Sequence, residues 1–238
     1  ESNGGTTDLN ATTLEGNSCG PVPGNGGGFH LTGSGVVDAD DCVVFGNVAA
    51  AEGGGLWNSS GGLMTVTNCV VDDNEALGDE ADQGGGGLFN AGGTLRVFGG
   101  QLHANRATGA SGSGGGALND LGTLEMTSVT VTANTAVRAG GGVEANVGTT
   151  TLLRTRLDGN STGAAPGNGG GLHLTGPGAV AVERCAVTRN FAENEGGGLW
   201  NSSSGQMTVT LSRITDNESP DGPNLFNDGG SLVVDGGP

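Results

Sequence analysis

Polar and apolar residues alternate along this chain in short bursts, and the bursts return on a regular schedule. In Met64-Thr65-Val66-Thr67 the apolar residues take every second place. The same alternation holds in the pairs Leu95 and Val97, Leu124 and Met126, Val180 and Val182, Met207 and Val209, and Leu232 and Val234. Alternation over four to five residues, bounded by Gly, Ser, Asn and Asp, predicts half-buried β-strands, and no helical period appears. Each burst follows a short apolar piece such as Leu56-Trp57-Asn58 and precedes a third such as Cys69-Val70-Val71-Asp72, and each third piece closes on an asparagine. A glycine triplet opens every unit. The triplets start at positions 26, 53, 85, 114, 140, 169, 196 and 222, the last being the worn copy Gly222-Pro223-Asn224. A unit of this length, repeated along a chain, is the signature of a solenoid.

The period of two assigns faces, and the repeat turns faces into columns. One predicted core column follows the glycines: Phe29, Leu56, Leu88, Ala117, Val143, Leu172, Leu199 and Leu225. Another lies three residues before the closing asparagine: Leu14, Val44, Val71, Leu102, Val131, Leu157, Val187 and Ile214. The alternating middle pieces supply the third. A slip of one residue would turn a column outward, so the pattern itself specifies the stacking. The expectation is a single right-handed parallel β-helix over residues 1–238, all-β and with almost no helix, built from about eight three-stranded rungs. Handedness follows from the rule for parallel crossovers. At about 4.8 Å per rung the rod would be roughly 40 Å long.

The closing asparagines form a column of their own: Asn17, Asn47, Asn74, Asn105, Asn134, Asn160, Asn190 and Asn217. An amide carries donors and an acceptor and tolerates left-handed turns, so this column is expected to be structural. The glycines are read as tight corners and close backbone approaches. They recur with no following helix, which argues against a nucleotide loop.

A longer period overlies the rungs. Residues 12–67 align without a gap on residues 155–210, with 36 identities in 56 positions, at an offset of 143 that equals five rungs. Such a duplication presents the same surface twice along the rod.

Gly-Gly-Gly-Leu-x-Asn followed by Met-Thr-Val-Thr-Asn-Cys-x-Val-x-x-Asn resembles the parallel β-helix repeats of polymorphic outer-membrane-protein-type and related microbial surface proteins, over nearly the whole chain. The resemblance implies an extracellular β-solenoid, adhesive or structural, without a cofactor. No membrane-barrel or anchoring segment accompanies the repeats.

Composition narrows the function. The chain has 52 glycines and a net charge of −17, and all eight of its basic residues are arginine. Such a surface repels nucleic acid and anionic lipid, and no stretch approaches the roughly 20 apolar residues of a membrane span. A start at Glu1 fits a secreted, already processed protein at the cell surface or outside it. Divalent cations are attracted instead. The densest acidic loop offers Asp72, Asp73, Asp79, Glu80 and Asp82 as candidate Ca²⁺ ligands, although their spacing matches no EF-hand.

The residue after the first core column points outward by alternation. Its members include His30, Trp57, Phe89, His173, Trp200 and Phe226. An exposed aromatic stripe would stack on glycans or dock another surface protein. The alternative is that loops fold over the stripe and bury it. A polysaccharide lyase or hydrolase would need carboxylates gathered on one face, and Asp38, Asp40 and Asp72 are the local candidates. Cys42 and Cys69 share one column on consecutive rungs, as buried thiols or a disulfide, and Cys19 falls in a turn.

By the offset of 143, Gly4 to Asn17 matches Val147 to Asn160, so the chain is expected to open with its first piece missing and to close with its third missing. Leu9 and Leu14 at one end, and Leu225, Leu232, Val233 and Val234 at the other, would then mate head to tail. The leading expectation is a non-enzymatic extracellular structural protein that stacks on itself into filaments or a surface layer. An adhesin or glycan-binding module is the alternative, and a polysaccharide-cleaving enzyme the second.

Overall fold

The computed structural model describes residues 1–235. Among them there is no helix, and every strand pairs in parallel with its counterpart one rung away. The result is a β-solenoid of about eight turns. One nine-stranded sheet, here sheet A, gathers the first pieces, from Ser2–Asn3 to Leu225–Asn227. Sheet B, also nine-stranded, gathers the alternating pieces, from Thr6–Asn10 to Ser231–Asp235. Sheet C holds the eight third pieces, from Thr13–Glu15 to Arg213–Thr215. Register follows the sequence columns: Leu63–Thr67 lies between Val36–Asp40 and Thr94–Phe98, position for position.

The three expected strands of each rung are joined by a fourth, shorter ladder, sheet D, so that a rung has three to four strands. Two residues after each closing asparagine pair with their neighbours in six strands, from Ser18–Cys19 to Ser161–Thr162. Single bridges continue the ladder to Phe191 and Glu218. The segment is too short to show alternation, but it has a column of small residues: Cys19, Ala49, Ala76, Ala107, Ala136, Thr162, Ala192 and Ser219. Cys19 therefore sits half-buried on a strand and not in a turn.

The core fills the space between the sheets and runs without a break from Phe29 to Val209. Leu9, Leu14, Ile214, Leu225 and Leu232 pack against it while partly exposed, whereas Val233 and Val234 are 52% and 61% exposed. Val234 keeps its register with the buried Val209 but is itself left uncovered. Thr150 stands in an apolar column yet is fully buried, and there it meets the Asn119 amide, whose Nδ2 lies 3.2 Å from its Oγ1. The first piece is not wholly missing at the start, because Ser2–Asn3 pairs with Leu31 and Thr32. The signal was present: Glu1 and Asn3 match Glu144 and Asn146 at the same offset of 143.

Most corners are made by a single left-handed residue. Between sheets C and D the residue before the closing asparagine takes this role, as at Asp73 (φ 54°), Ala104 (51°) and Ala133 (55°). The asparagine itself turns inward. Each closing amide reaches along the rod axis. Asn74 donates its backbone N–H and its Nδ2 to Asn105 Oδ1, at 3.1 and 2.9 Å, and the same Nδ2 donates to Val44 O at 2.9 Å. The pattern recurs from Asn17 to Asn217, and from Asn47 to Asn190 every amide is fully buried. A second amide ladder lies at the end of the first pieces, through Asn58, Asn90 and Asn119, and through Asn201 and Asn227, with spacings of 2.7 Å. Its leading carbonyls, Asn58 Oδ1 and Asn201 Oδ1, are buried without a donor. The cause is visible in the register, for the preceding rung presents Leu31 and Leu174 where an amide would donate.

The glycine triplet is required by close approach. A Cβ on the middle glycine, Gly86, would lie 2.5 Å from the backbone carbon and nitrogen of Arg106 in sheet D. A Cβ on the third, Gly87, would lie 3.0 Å from the buried Asn105 amide. Only hydrogen fits between these ladders.

The four cysteines are free. The Cys42 backbone N–H points at Cys69 Sγ, 3.3 Å away, and Cys69 Sγ in turn reaches carbonyl oxygens of Ala39 and Thr67. Ser212 does the same for Cys185, accepting its N–H at 2.9 Å. This column is a run of corner hydrogen bonds. Burial pushes the Cys69 and Cys185 thiols up to about 11, and a protonated thiol is a poor nucleophile for disulfide exchange.

Candidate functional site

The outer face of sheet A carries the column that alternation turned away from the core. His30, Trp57 and Phe89 are in register, as are Glu144, His173, Trp200 and Phe226. They do not stand free in solvent. Phe89, Glu144 and His173 are buried, and His30, Trp57, Trp200 and Phe226 are half-buried. The chain entering each triplet runs against this column and makes its own rail of single parallel bridges, including Asn25 to Glu52 and Asn168 to Glu195. The first glycine of each triplet allows this. A Cβ on Gly169 or Gly196 would meet the Cβ of His173 at 2.5 Å or of Trp200 at 2.9 Å.

Within the column the rings contact each other along the rod. The centroids of Trp57 and Phe89 are 6.4 Å apart and tilted by 9°, and those of Trp200 and Phe226 are 6.3 Å apart and tilted by 11°. On the opposite side each indole meets a histidine, His30 edge-on at 4.4 Å and His173 stacked at 4.2 Å. The indole faces are therefore occupied by neighbouring rungs, in the offset and edge-on geometries aromatic rings favour. Each indole N–H donates to the carboxylate five residues earlier: Trp57 to Glu52 Oε2 and Trp200 to Glu195 Oε2, both at 2.9 Å.

A carboxylate completes each copy. Glu144 is fully buried, with its carboxylate 3.0 Å from His173 Nδ1, and it accepts the Thr175 hydroxyl at 2.6 Å. In the first copy Glu1 takes that place, accepting the Thr32 hydroxyl at 3.3 Å, while Thr32 Oγ1 lies 3.2 Å from His30 Nε2. Around the first copy the surface is concave, with a volume of about 740 Å³. The arrangement is a satisfied polar cluster. In the buried copy Thr175 and Glu144 both meet His173 Nδ1, so the imidazole's two nitrogens do not relay a proton between them. Alternation places Glu144 in the outward column without a role, and it does not point to Glu1, Thr32, Glu52, Thr175 or Glu195. The offset of 143 was the signal that would have found them, since it pairs all six.

The acidic loop residues are dispersed. Asp72 Oδ1 meets His103 Nδ1 at 2.8 Å, Asp73 pairs with Arg106 at 2.5 Å, and Asp79 accepts the Ala110 N–H at 2.8 Å. Glu80 and Asp82 lie exposed on the loop. Among the described residues no group of three His, Cys, Asp or Glu side chains is gathered as for a metal ion. Asp38 and Asp40 project from the outer face of sheet B and Asp72 from that of sheet C, so the three carboxylates considered for glycoside chemistry do not share a face.

Glu52 has a second consequence. Burial holds its carboxyl above the ordinary range, the indole hydrogen bond offsets part of this, and Asp82 and Asp120 add repulsion. Burial, followed by repulsion from Asp82, likewise raises Asp120. A raised carboxyl favours the fold when protonated, and that contribution is lost as pH rises through the elevated value. Glu52→Gln keeps an acceptor for Trp57 and removes the charge. Thermal melts should show the variant more stable than wild type at pH 7, with the gain vanishing near pH 3.5. A variant that is less stable at pH 7 would show that the indole bond to a charged partner outweighs the repulsion.

Compared with protein-family models, curated proteins and solved structures, the chain matches none.

Proposed function

We propose that this chain is a non-enzymatic structural protein acting outside the cell, a stiff acidic rod. The observation that carries the reading is the direction of its side-chain contacts. The buried amides bond to amides one rung away, the indoles stack on the rings one rung away, and the glycines close the gaps between ladders. Groups that would recognise a ligand, above all the faces of Trp57 and Trp200, are spent on stiffening the rod. The net charge of −17 keeps such rods soluble and apart from nucleic acid and anionic lipid.

The competing reading is a glycan-binding module working through the aromatic column. A glycan array with wild type, Trp57→Ala and Trp200→Ala separates the two. The structural reading expects no glycan signal that depends on either indole, and expects both variants to lose stability by about 1–3 kcal/mol, less than deletion of a fully buried aromatic costs. Glycan hits abolished by Trp57→Ala and Trp200→Ala in still-folded protein would overturn it. So would turnover of any polysaccharide in a degradation assay.

A further inference from the structure

The charge of the chain is not spread evenly. Residues 154–216 contain five arginines and five acidic residues, so the whole of the net −17 lies outside this stretch. Three of those arginines converge on the outer face of sheet C. Arg156, Arg189 and Arg213, with Ala186, Thr188 and Asp216, line a concavity of about 350 Å³. Register explains its shape. Arg156, Ala186 and Arg213 occupy one column on three successive rungs. Ala186 is thus a floor without a side chain of any length, with an arginine one rung to either side. Two rungs put these arginines about 10 Å apart along the axis.

The guanidinium groups are held but not used up. Asp158, 8% exposed, accepts Arg156 Nη2 at 2.7 Å and Arg189 Nη2 at 2.5 Å on one oxygen, and the Thr188 hydroxyl at 2.7 Å on the other. Burial alone would raise the Asp158 carboxyl, but Arg189, Thr188 and Arg156 together hold it below the ordinary range, so it stays a fixed anion. Each guanidinium carries five donors in a rigid fork, and one contact to Asp158 leaves most of them free. Among the described residues Arg213 meets only Asp216, 3.6 Å away, in a pair that is more than half exposed on both sides. Such a pair is weak and yields to a better anion. Asp158 and Asp216 together leave the three arginines with a surplus positive charge.

We propose that this cluster binds an oxyanion, a carboxylate or sulfate ester of an acidic polysaccharide, between Arg156 and Arg213 over Ala186. Charge-assisted, forked bonds from arginine are the strong way to hold such a group. The proposal is independent of the structural role above. A rod that fails this test remains a rod, and one that passes gains an attachment point.

The test is titration calorimetry at an ionic strength of about 0.1 M, where the screening length is about 10 Å and the acidic remainder of the rod is screened from the cluster. The probes are inorganic sulfate, inorganic phosphate, an oligogalacturonate and a sulfated oligosaccharide. Ala186→Glu is the main variant, because it places a carboxylate of the chain's own between the arginines on an outward strand position and leaves the core untouched. Binding of an oligosaccharide should weaken about tenfold or more in Ala186→Glu and in Arg213→Ala, with unchanged melting temperature. Arg106→Ala, outside the cluster, should bind as wild type does. Tighter binding of the oligogalacturonate identifies the group as a carboxylate, and tighter binding of the sulfated probe as a sulfate ester; either upholds the site. No binding by wild type would overturn the proposal, as would equal weakening by Arg106→Ala. Binding of the inorganic ions with neither oligosaccharide would overturn the polysaccharide assignment.

Discussion

Asn105→Ala is expected to cost about 3–5 kcal/mol, a large share of the roughly 5–15 kcal/mol that holds a folded domain together. Asn105 is fully buried in the middle of the amide ladder. Its Oδ1 accepts both the Asn74 backbone N–H and Asn74 Nδ2, at 3.1 and 2.9 Å. Its Nδ2 donates to Val71 O at 2.9 Å and to Asn134 Oδ1 at 3.0 Å. Alanine removes all four bonds and fills none of the space. The Asn74 backbone N–H is left with no partner, and Val71 O and Asn134 Oδ1 each lose one. A buried donor left unpaired costs about 1–3 kcal/mol by itself, because its bond to water is not restored. Asn17→Ala is the control. That side chain is exposed at the end of the ladder and donates to a single acceptor, Asn47 Oδ1. Its loss should cost about 1 kcal/mol or less. Denaturant titration of both variants checks the pair. Similar small losses in the two would mean that the ladder is decoration on a fold held by its apolar columns alone.

Gly86→Ala should cost as much as a core truncation, although it adds only one methyl group. That methyl would sit 2.5 Å from the backbone carbon and nitrogen of Arg106, and backbone has no rotamer by which to move aside. The strand Arg106–Ala107 would have to leave its pairing with Glu75–Ala76 and Thr135–Ala136. Overpacking a tight interior costs about 1–3 kcal/mol, and the lost ladder bonds add to this, so about 3 kcal/mol or more is expected. Gly20→Ala is the matched control, since a Cβ there meets nothing within 4 Å. It should change stability by no more than about 0.5 kcal/mol. Expression, circular dichroism and melting temperature of the two proteins decide the matter. Equal stability would show that the triplet is a turn preference and not a steric requirement.

The parts of this protein that repeat were legible from the residues alone. Columns such as Leu56, Leu88 and Ala117, or Val44, Val71 and Leu102, need no three-dimensional information, because a strand has a period of two and a solenoid sets like positions beside each other. The asparagine column was legible as structural for the same reason. Its mechanism was not. Tolerance of a left-handed corner was part of the expectation, yet the corner falls on the preceding residue, and the amide is chosen for its place inside the rod.

What only the folded chain decided falls where two parts of a rung meet that sequence spacing does not relate. Sheet D is two residues long, below the length at which alternation can be read, and it became visible only through its pairing. The outer aromatic column obeyed the period of two and still became half-buried or buried, because the chain entering the glycine triplets comes back against it. Alternation says which way a side chain points and nothing about what returns to cover it. The arginine cluster shows the same limit. Arg156, Arg189 and Arg213 are scattered in the sequence and flanked by acidic residues, and it took the register of three rungs to set two of them astride Ala186. Periodicity specifies neighbours along the rod because one rule, stacking at strand spacing, acts on every rung alike. Contacts around a rung depend on loop lengths that differ from unit to unit, and those were settled only in the tertiary structure.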